Sequence, residues 1–134
     1  MTEVIKSLAD ISDRYDALFV DLWGCVHNGI KAFSSANESL KKYRYQGGKV
    51  VLVTNSPRPR SGVEKQLKKF GVDFDAWDLI ATSGDSARMA MFRGVVGSKI
   101  YFIGTPFEEN FFEPLNVVND PVNIERVPID EAEG

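Results

Sequence analysis

The sequence predicts an α/β fold, a doubly wound parallel sheet with helices between its strands. Four apolar runs of strand length lack polar alternation, which is typical of strands buried on both faces of a parallel sheet. They cover residues 17–20, 50–53, 79–81 and 100–103. Helical segments separate these runs, and this alternation indicates right-handed crossovers. With 134 residues, the chain has the length of one ordinary domain.

Local patterns predict the ends of three helices. A serine stands three residues before a glutamate at 35–38 and again at 61–64, and this capping-box pattern predicts a helix start at each position. Gly47 and Gly71 follow at distances that suit helix ends, because glycine readily adopts the left-handed conformation found there. A third helix is predicted over residues 86–93.

One segment interrupts the alternation of strands and helices. Residues 25–30 follow the first strand and contain Asn28-Gly29, the strongest two-residue signal for a hairpin. We therefore expect a small β-hairpin directly after the first strand and before the first crossover helix.

The last quarter of the sequence is irregular. Thr105-Pro106 has the pattern of a helix start, with proline at its favoured first position. Prolines at 114, 121 and 128 then interrupt an acidic end, and no closing strand is recognisable. We therefore expect an incomplete core, in a chain that is the front part of a longer protein.

Composition and charge exclude several classes of protein. The single cysteine excludes a disulfide framework and fits a reducing compartment. No apolar run approaches the roughly 18–20 residues of a membrane helix, so we expect a cytoplasmic protein without a membrane partner. Residues 41–69 carry nine basic side chains and one acidic one. They form either a solvated helix surface or an attractive field for a small anion. They lack the interleaved aromatic residues of nucleic-acid-binding surfaces, so no nucleic-acid partner is expected.

Residues that can carry chemistry follow the predicted strands. Asp21 comes directly after the first strand, residues 54–56 (Thr-Asn-Ser) follow the second, and residues 82–85 (Thr-Ser-Gly-Asp) follow the third. Ligands of open α/β sheets bind beyond the carboxyl ends of the strands, where these side chains would meet. A carboxylate, hydroxyl groups and loop amides at one edge suit an oxyanion and a cation.

These residues carry a resemblance to a known family. The run ALFVDLWGCV at 17–26 and the run VLVTN at 51–55 resemble the first two motifs of the haloacid dehalogenase (HAD) superfamily. Residues 82–85 are similar to the capped subfamily IIA, which includes sugar-phosphatase-like and nitrophenylphosphatase-like proteins. The resemblance implies a Rossmann-like core in residues 1–104, with the hairpin as a flap. Residues 105–134 would be the start of a cap domain or a disordered acidic tail.

The resemblance also implies an activity and its residues. The expected function is Mg²⁺-dependent hydrolysis of a small phosphorylated metabolite through an aspartyl-phosphate intermediate. Asp21 would be the nucleophile and a ligand of Mg²⁺, and the backbone carbonyl of Trp23 would be a second ligand. Thr54, Asn55 and Arg58 would bind the phosphoryl group. A homo-oligomer is an open alternative to a monomer.

The sequence departs from the family pattern at Trp23. Most phosphatases of the family have an aspartate there, as general acid and then base. An indole cannot transfer a proton near neutral pH, and losing a general acid costs about 10²–10⁴-fold in rate. Three explanations stay open: another group supplies the proton, the leaving group needs none, or the protein is a poor catalyst. The last of these leads to a rival interpretation, a non-catalytic ligand-binding or scaffold domain.

Two further motifs of the family are missing. Neither a lysine at a strand end nor a pair of acidic metal ligands follows Thr54. The 134 residues are therefore expected to bind Mg²⁺ weakly and to turn over little substrate. Cys25 and His27 are expected to be a half-buried cysteine and a solvated histidine rather than a nucleophile or half of a metal site.

Overall fold

The computed structural model describes residues 4–105 and 110–134 of the chain. Its strands and helices confirm the predicted α/β class. The chain divides into two compact units: the first comprises Met1–Thr54 and Ser61–Ala81, and the second comprises Asn55–Arg60 and Thr82–Gly134. The predicted boundary between a core and a cap at residue 105 stays a prediction.

The strands and helices follow one another in a simple order. They are β1 (Ala17–Asp21), α1 (Ser34–Tyr45), β2 (Lys49–Thr54), α2 (Arg60–Phe70), β3 (Leu79–Thr82), α3 (Ser83–Phe92), β4 (Lys99–Ile100) and β5 (Glu125–Arg126). The first three strands form one sheet in the order β1-β2-β3. β1 and β2 are parallel, and Asp21 lies opposite Val53.

The core of the first unit lies on one face of this sheet. Val50 and Leu52, two residues apart on the central strand, are fully buried. Val63 and Leu67 of α2, spaced by one helical turn, belong to the same cluster, together with Leu40 of α1. Each such side chain contributes about 1.5–3 kcal/mol by its burial. Both helices therefore cover the same face of the sheet.

The opposite face of the sheet is largely uncovered. Phe19 on β1 is 77% exposed and Leu79 on β3 is 58% exposed. Val53 on β2, which also alternates with the buried residues of its strand, is exposed as well. Alternation along a strand places these three side chains away from the core of the first unit.

The β-hairpin flap predicted after β1 is formed only in part. Its turn is present, but its two paired strands are not. The backbone N–H of Asn28 donates to the carbonyl of Lys31 over 3.2 Å, and the Asn28 side chain accepts two backbone N–H groups of the turn. Two isolated bridges, both at His27, replace the paired strands. The His27 Nδ1 accepts the N–H of Gly29 over 3.0 Å, so side chains satisfy backbone groups that a hairpin ladder would use.

The predicted capping boxes are wrong, although both helices exist. α1 begins one residue earlier, with Phe33 before it and no side-chain cap. Asn37 instead exchanges two hydrogen bonds with Asp73, at 2.8 and 3.1 Å, which fastens α1 to the segment before β3. α2 begins at Arg60, one residue before the predicted serine. At α2, the Asp85 carboxylate accepts the backbone N–H of Arg60 over 3.1 Å, so a partner distant in sequence replaces the predicted local cap there.

The second unit has its own small core around α3. Its buried members are Met91, Phe92, Ile100 and Val118. The predicted fourth strand is only two residues long, and it pairs in parallel with β5 in a separate sheet instead of extending the first one. The predicted helix at residue 105 lies mostly outside the described residues. Within residues 4–105 and 110–134, every helix is too short or too polar to cross a lipid bilayer.

Candidate active site

The structure brings Asp21 and Thr54 to the same edge of the sheet. Asp21 is the last residue of β1 and lies opposite Val53, so Thr54 is the next residue along the neighbouring parallel strand. The carboxyl ends of parallel strands share an edge, as the sequence predicted for these two residues. Asp21 is exposed and Thr54 is half-buried, so neither is enclosed in the apolar interior.

A cavity opens beside Asp21 in the first unit. Its volume is about 620 Å³, which lies within the range of small-molecule sites. Cys25, Ser35, Ser39 and Lys6 are among the residues that line it, and Thr54 is not. The sequence carried no signal for Lys6 or Ser39, because neither belongs to a motif and the fold alone brings them to β1.

The Trp23 side chain, two residues after Asp21, is largely exposed to solvent. It is 68% exposed, and its ring meets the His27 ring edge-on with centroids 5.9 Å apart. The ring also covers Gly29 so closely that a Cβ atom at position 29 would overlap it. Gly29 has a positive φ of 83°, which glycine adopts without strain. The loop therefore holds the indole at a defined place.

The structure reverses the predicted environments of Cys25 and His27. Cys25 is exposed, whereas His27 is 5% exposed. The His27 ring packs against Phe70 at 4.9 Å between centroids. Burial lowers the pKa of His27, and the nearby charge of Asp21 opposes that shift. The imidazole is therefore neutral at pH 7, and the prediction failed because aromatic packing favours its burial.

The predicted protein ligands of Mg²⁺ are of the right chemical type, but they are too few to fill its coordination shell. The two predicted ligands, the Asp21 carboxylate and the backbone carbonyl of Trp23, are oxygen donors, the kind that Mg²⁺ prefers in an octahedral shell, and their roles stay predictions. Within the described residues, no three His, Cys, Asp or Glu side chains are grouped so that they could hold a metal ion. One carboxylate is the lower limit of what Mg²⁺ sites use when substrate phosphate and water complete the shell.

The other two predicted phosphate ligands belong to the second unit. Asn55 and Arg58 are both exposed on the segment of residues 55–60. The backbone N–H of Arg58 donates to the Ser56 hydroxyl over 3.3 Å. The roles of these two residues stay predictions.

Asp85 does not cap its own helix, contrary to the ordinary role of an aspartate at that position. Thr82 caps α3 instead, since its hydroxyl oxygen accepts the N–H of Asp85 over 2.9 Å. The Asp85 carboxylate pairs with Arg88 at 3.0 Å, and the buried Arg88 had no signal in the sequence.

Comparisons with known proteins identify a hydrolase family and a solved structure to which this chain is similar. Residues 18–117 match the family model described as haloacid dehalogenase-like hydrolase. The chain is also similar to the crystal structure of a hydrolase of the haloacid dehalogenase-like family from Brucella suis 1330, with a TM-score of 0.82 and 38% identity. The alignment covers 97% of this chain and 46% of that chain, so this chain spans about half the length of that relative. No curated protein sequence matches this chain.

Proposed function

Because this chain belongs to the haloacid dehalogenase-like hydrolase family, we propose that it is a phosphohydrolase whose nucleophile is Asp21. The family supplies the class of hydrolase, and phosphoryl transfer from a small phosphorylated metabolite is the proposed reaction. The position of Asp21 carries the proposal: an exposed carboxylate ends β1, and Thr54 lies on the neighbouring strand at the same edge of the sheet. The capped subfamily IIA is part of the proposal.

The proposed reaction proceeds in two displacements at phosphorus. A carboxylate oxygen of Asp21 attacks phosphorus, and the bond between phosphorus and the leaving-group oxygen breaks. The hydroxyl of Thr54 donates to a phosphoryl oxygen and so stabilises charge in the transition state. Water then attacks phosphorus, which releases inorganic phosphate, a proton and the free carboxylate of Asp21.

We extend the proposal to Mg²⁺ dependence. Asp21 and the carbonyl of Trp23 would hold the ion. When bound, Mg²⁺ offsets the negative charges of the carboxylate and the phosphate group. Because these residues provide a single carboxylate, weak affinity for the metal is expected.

The test of Asp21 uses anions that mimic a phosphoryl group. We expect beryllofluoride or orthovanadate, each with Mg²⁺, to raise the melting temperature of the protein, and Asp21→Asn to abolish the rise. The matched control is Asp13→Asn, which removes another exposed carboxylate of the first unit and should leave the rise unchanged.

The same measurement distinguishes the rival function. If neither anion shifts the melting temperature of the wild-type protein, the proposal of a phosphoaspartate enzyme is contradicted. The non-catalytic binding or scaffold domain would then be favoured, and the exposed indole at position 23 is the feature that supports it.

A further inference from the structure

Trp23 lies on a loop, residues 22–29, that is anchored in the core of the first unit. Leu22 and Val26 are buried members of that core, 4% and 0% exposed. The backbone N–H groups of Val26 and His27 both donate to the carbonyl of Leu22, over 2.9 and 3.2 Å. The loop therefore has a defined backbone, and Trp23 is its exposed large apolar side chain between buried neighbours.

The indole of Trp23 is supported from below, although most of it faces solvent. The ring of His27 is buried against Phe70 and meets the indole edge-on. The His27 Nδ1 also accepts the N–H of Gly29, which lies so close to the Trp23 ring that no Cβ atom fits between them. A buried ring and a glycine backbone thus hold an aromatic side chain that stays 68% exposed.

This indole lies close to the proposed nucleophile. Trp23 is two residues after Asp21, so their Cα atoms are at most about 7.6 Å apart. The charge of Asp21 also reaches the loop: burial lowers the pKa of the His27 ring, which contacts Trp23, and the charge of Asp21 opposes that shift. All of these residues belong to the first unit. The indole is therefore an aromatic surface within reach of a group bound at Asp21.

The chemistry of an indole favours one kind of leaving group in two ways. Because its N–H does not release a proton near pH 7, the leaving group has to depart as a stable anion. A phenolate is such an anion, since its aromatic ring delocalises the negative charge. A second aromatic ring also gains from edge-to-face or offset contact with an exposed indole. The side chain that cannot protonate a leaving group thus suits the binding of one that needs no proton.

We propose that Trp23 is a specificity-determining residue, which selects phosphate esters with an aromatic leaving group through contact between its indole and the ring of that group. The proposal deepens the proposed function and rests on it, because the leaving group lies beside Trp23 only if Asp21 attacks phosphorus. His27 and Gly29 support the indole in the position that this contact requires.

The test is titration calorimetry of the 134-residue protein with two phosphonates in the presence of Mg²⁺. Phenylphosphonate carries an aromatic ring, methylphosphonate does not, and neither has a phosphate ester bond to hydrolyse. We expect phenylphosphonate to bind roughly two- to tenfold more tightly than methylphosphonate, which is the scale of one aromatic contact. Trp23→Leu should remove most of this preference, and Trp23→Phe should retain most of it.

The matched control is Tyr15→Leu, which should leave the preference unchanged. Tyr15 is another exposed aromatic residue of the first unit, and it precedes β1 at the end of the strand opposite to Asp21. Gly29→Ala keeps Trp23 but takes away the space for its ring, so it should weaken the preference as Trp23→Leu does. A merely structural role of the loop would lower the melting temperature of this variant without changing the preference.

The outcomes separate this inference from the proposed function, which the effect of beryllofluoride on the melting temperature tests independently. If the wild-type protein binds both phosphonates equally well, or if Trp23→Leu keeps the full preference, the inference is overturned. If neither phosphonate binds, the inference is also overturned. In each of these cases a rise in melting temperature with beryllofluoride leaves the proposed function standing, and the absence of a rise overturns both.

Discussion

The residue at position 23 bears on how the leaving group can be protonated at the candidate site. Trp23 lies two residues after Asp21 and has an exposed indole side chain. Most phosphatases that this sequence resembles have an aspartate at that position. An indole N–H donates hydrogen bonds and does not release its proton near pH 7. The leaving group must therefore depart without a proton from this side chain, which favours substrates whose leaving group is a stable anion.

The turnover of phosphate esters is expected to be slow. Its rate should depend steeply on the pKa of the leaving group. We expect nitrophenyl phosphate to react about 10²–10⁴-fold faster, relative to its uncatalysed rate, than an alkyl phosphate, because Trp23 cannot supply the proton that a general acid would give to the leaving group. Rates at high protein concentration across a series of aryl and alkyl phosphates measure this slope. Trp23→Asp should flatten it, whereas Trp23→Phe should leave it steep. A flat slope in the wild-type protein would contradict the prediction.

The elements of the first unit are held together by charged groups as well as by the core. Asp78, directly before β3, bonds to Arg44 of α1 and to the backbone of Val50 in β2. The hydrogen bonds from Arg44 and then Val50 lower the pKa of Asp78. A carboxyl group with a lowered pKa stabilises the fold above its unfolded pKa, near 3.8. That contribution is lost as the pH falls through the folded value.

Removing Asp78 should therefore destabilise the protein in a pH-dependent way. Asp78→Ala should lower the free energy of unfolding by about 1–3 kcal/mol at pH 7, since it leaves Arg44 and Val50 without their acceptor. The difference should narrow in acid, as the pH falls through the lowered pKa of Asp78 and the carboxyl group of the wild-type protein becomes protonated. Denaturant unfolding at pH 7 and at an acidic pH measures both effects. Asp13→Ala is the control, and an equal difference at both pH values would refute the explanation.

The strands of the first sheet were predictable, whereas the ends of its helices were not. The apolar runs identified the strands, although only one face of the sheet is buried in the structure, and the strand ends placed Asp21 and Thr54 at one edge. The start of α2 depends on Asp85, which is 25 residues away along the chain. No local pattern encodes such a contact. The burial of His27 was missed for the same reason, because Phe70 joins it only in the folded chain.

At the scale of the whole molecule, the chain contains part of what the proposed reaction requires. It spans 46% of the chain of its relative from Brucella suis 1330. Its described residues place Asp21 and Thr54 together but group no three metal-binding side chains. The substrate preference and the activity of the protein are therefore proposals, because the described residues supply only part of the proposed site.

The 134-residue chain should bind Mg²⁺ weakly and turn over slowly. We expect a dissociation constant in the millimolar range, because a single carboxylate contributes, and a turnover number well below the usual range of about 1–10³ s⁻¹. Calorimetric titration with Mg²⁺ and phosphate release from nitrophenyl phosphate measure these values, and Asp21→Asn serves as the blank. Micromolar Mg²⁺ affinity or turnover in the usual range would show that the described donors suffice.

The exposed indole also gives the protein an optical reporter. The sequence has two tryptophans, and Trp77 is half-buried against the core of the first unit while Trp23 stands in water beside Asp21. Their fluorescence should differ accordingly, with the emission of Trp23 at longer wavelength and open to quenching by iodide. A ligand that covers the indole would reduce this quenching, so its binding can be followed by fluorescence without any label.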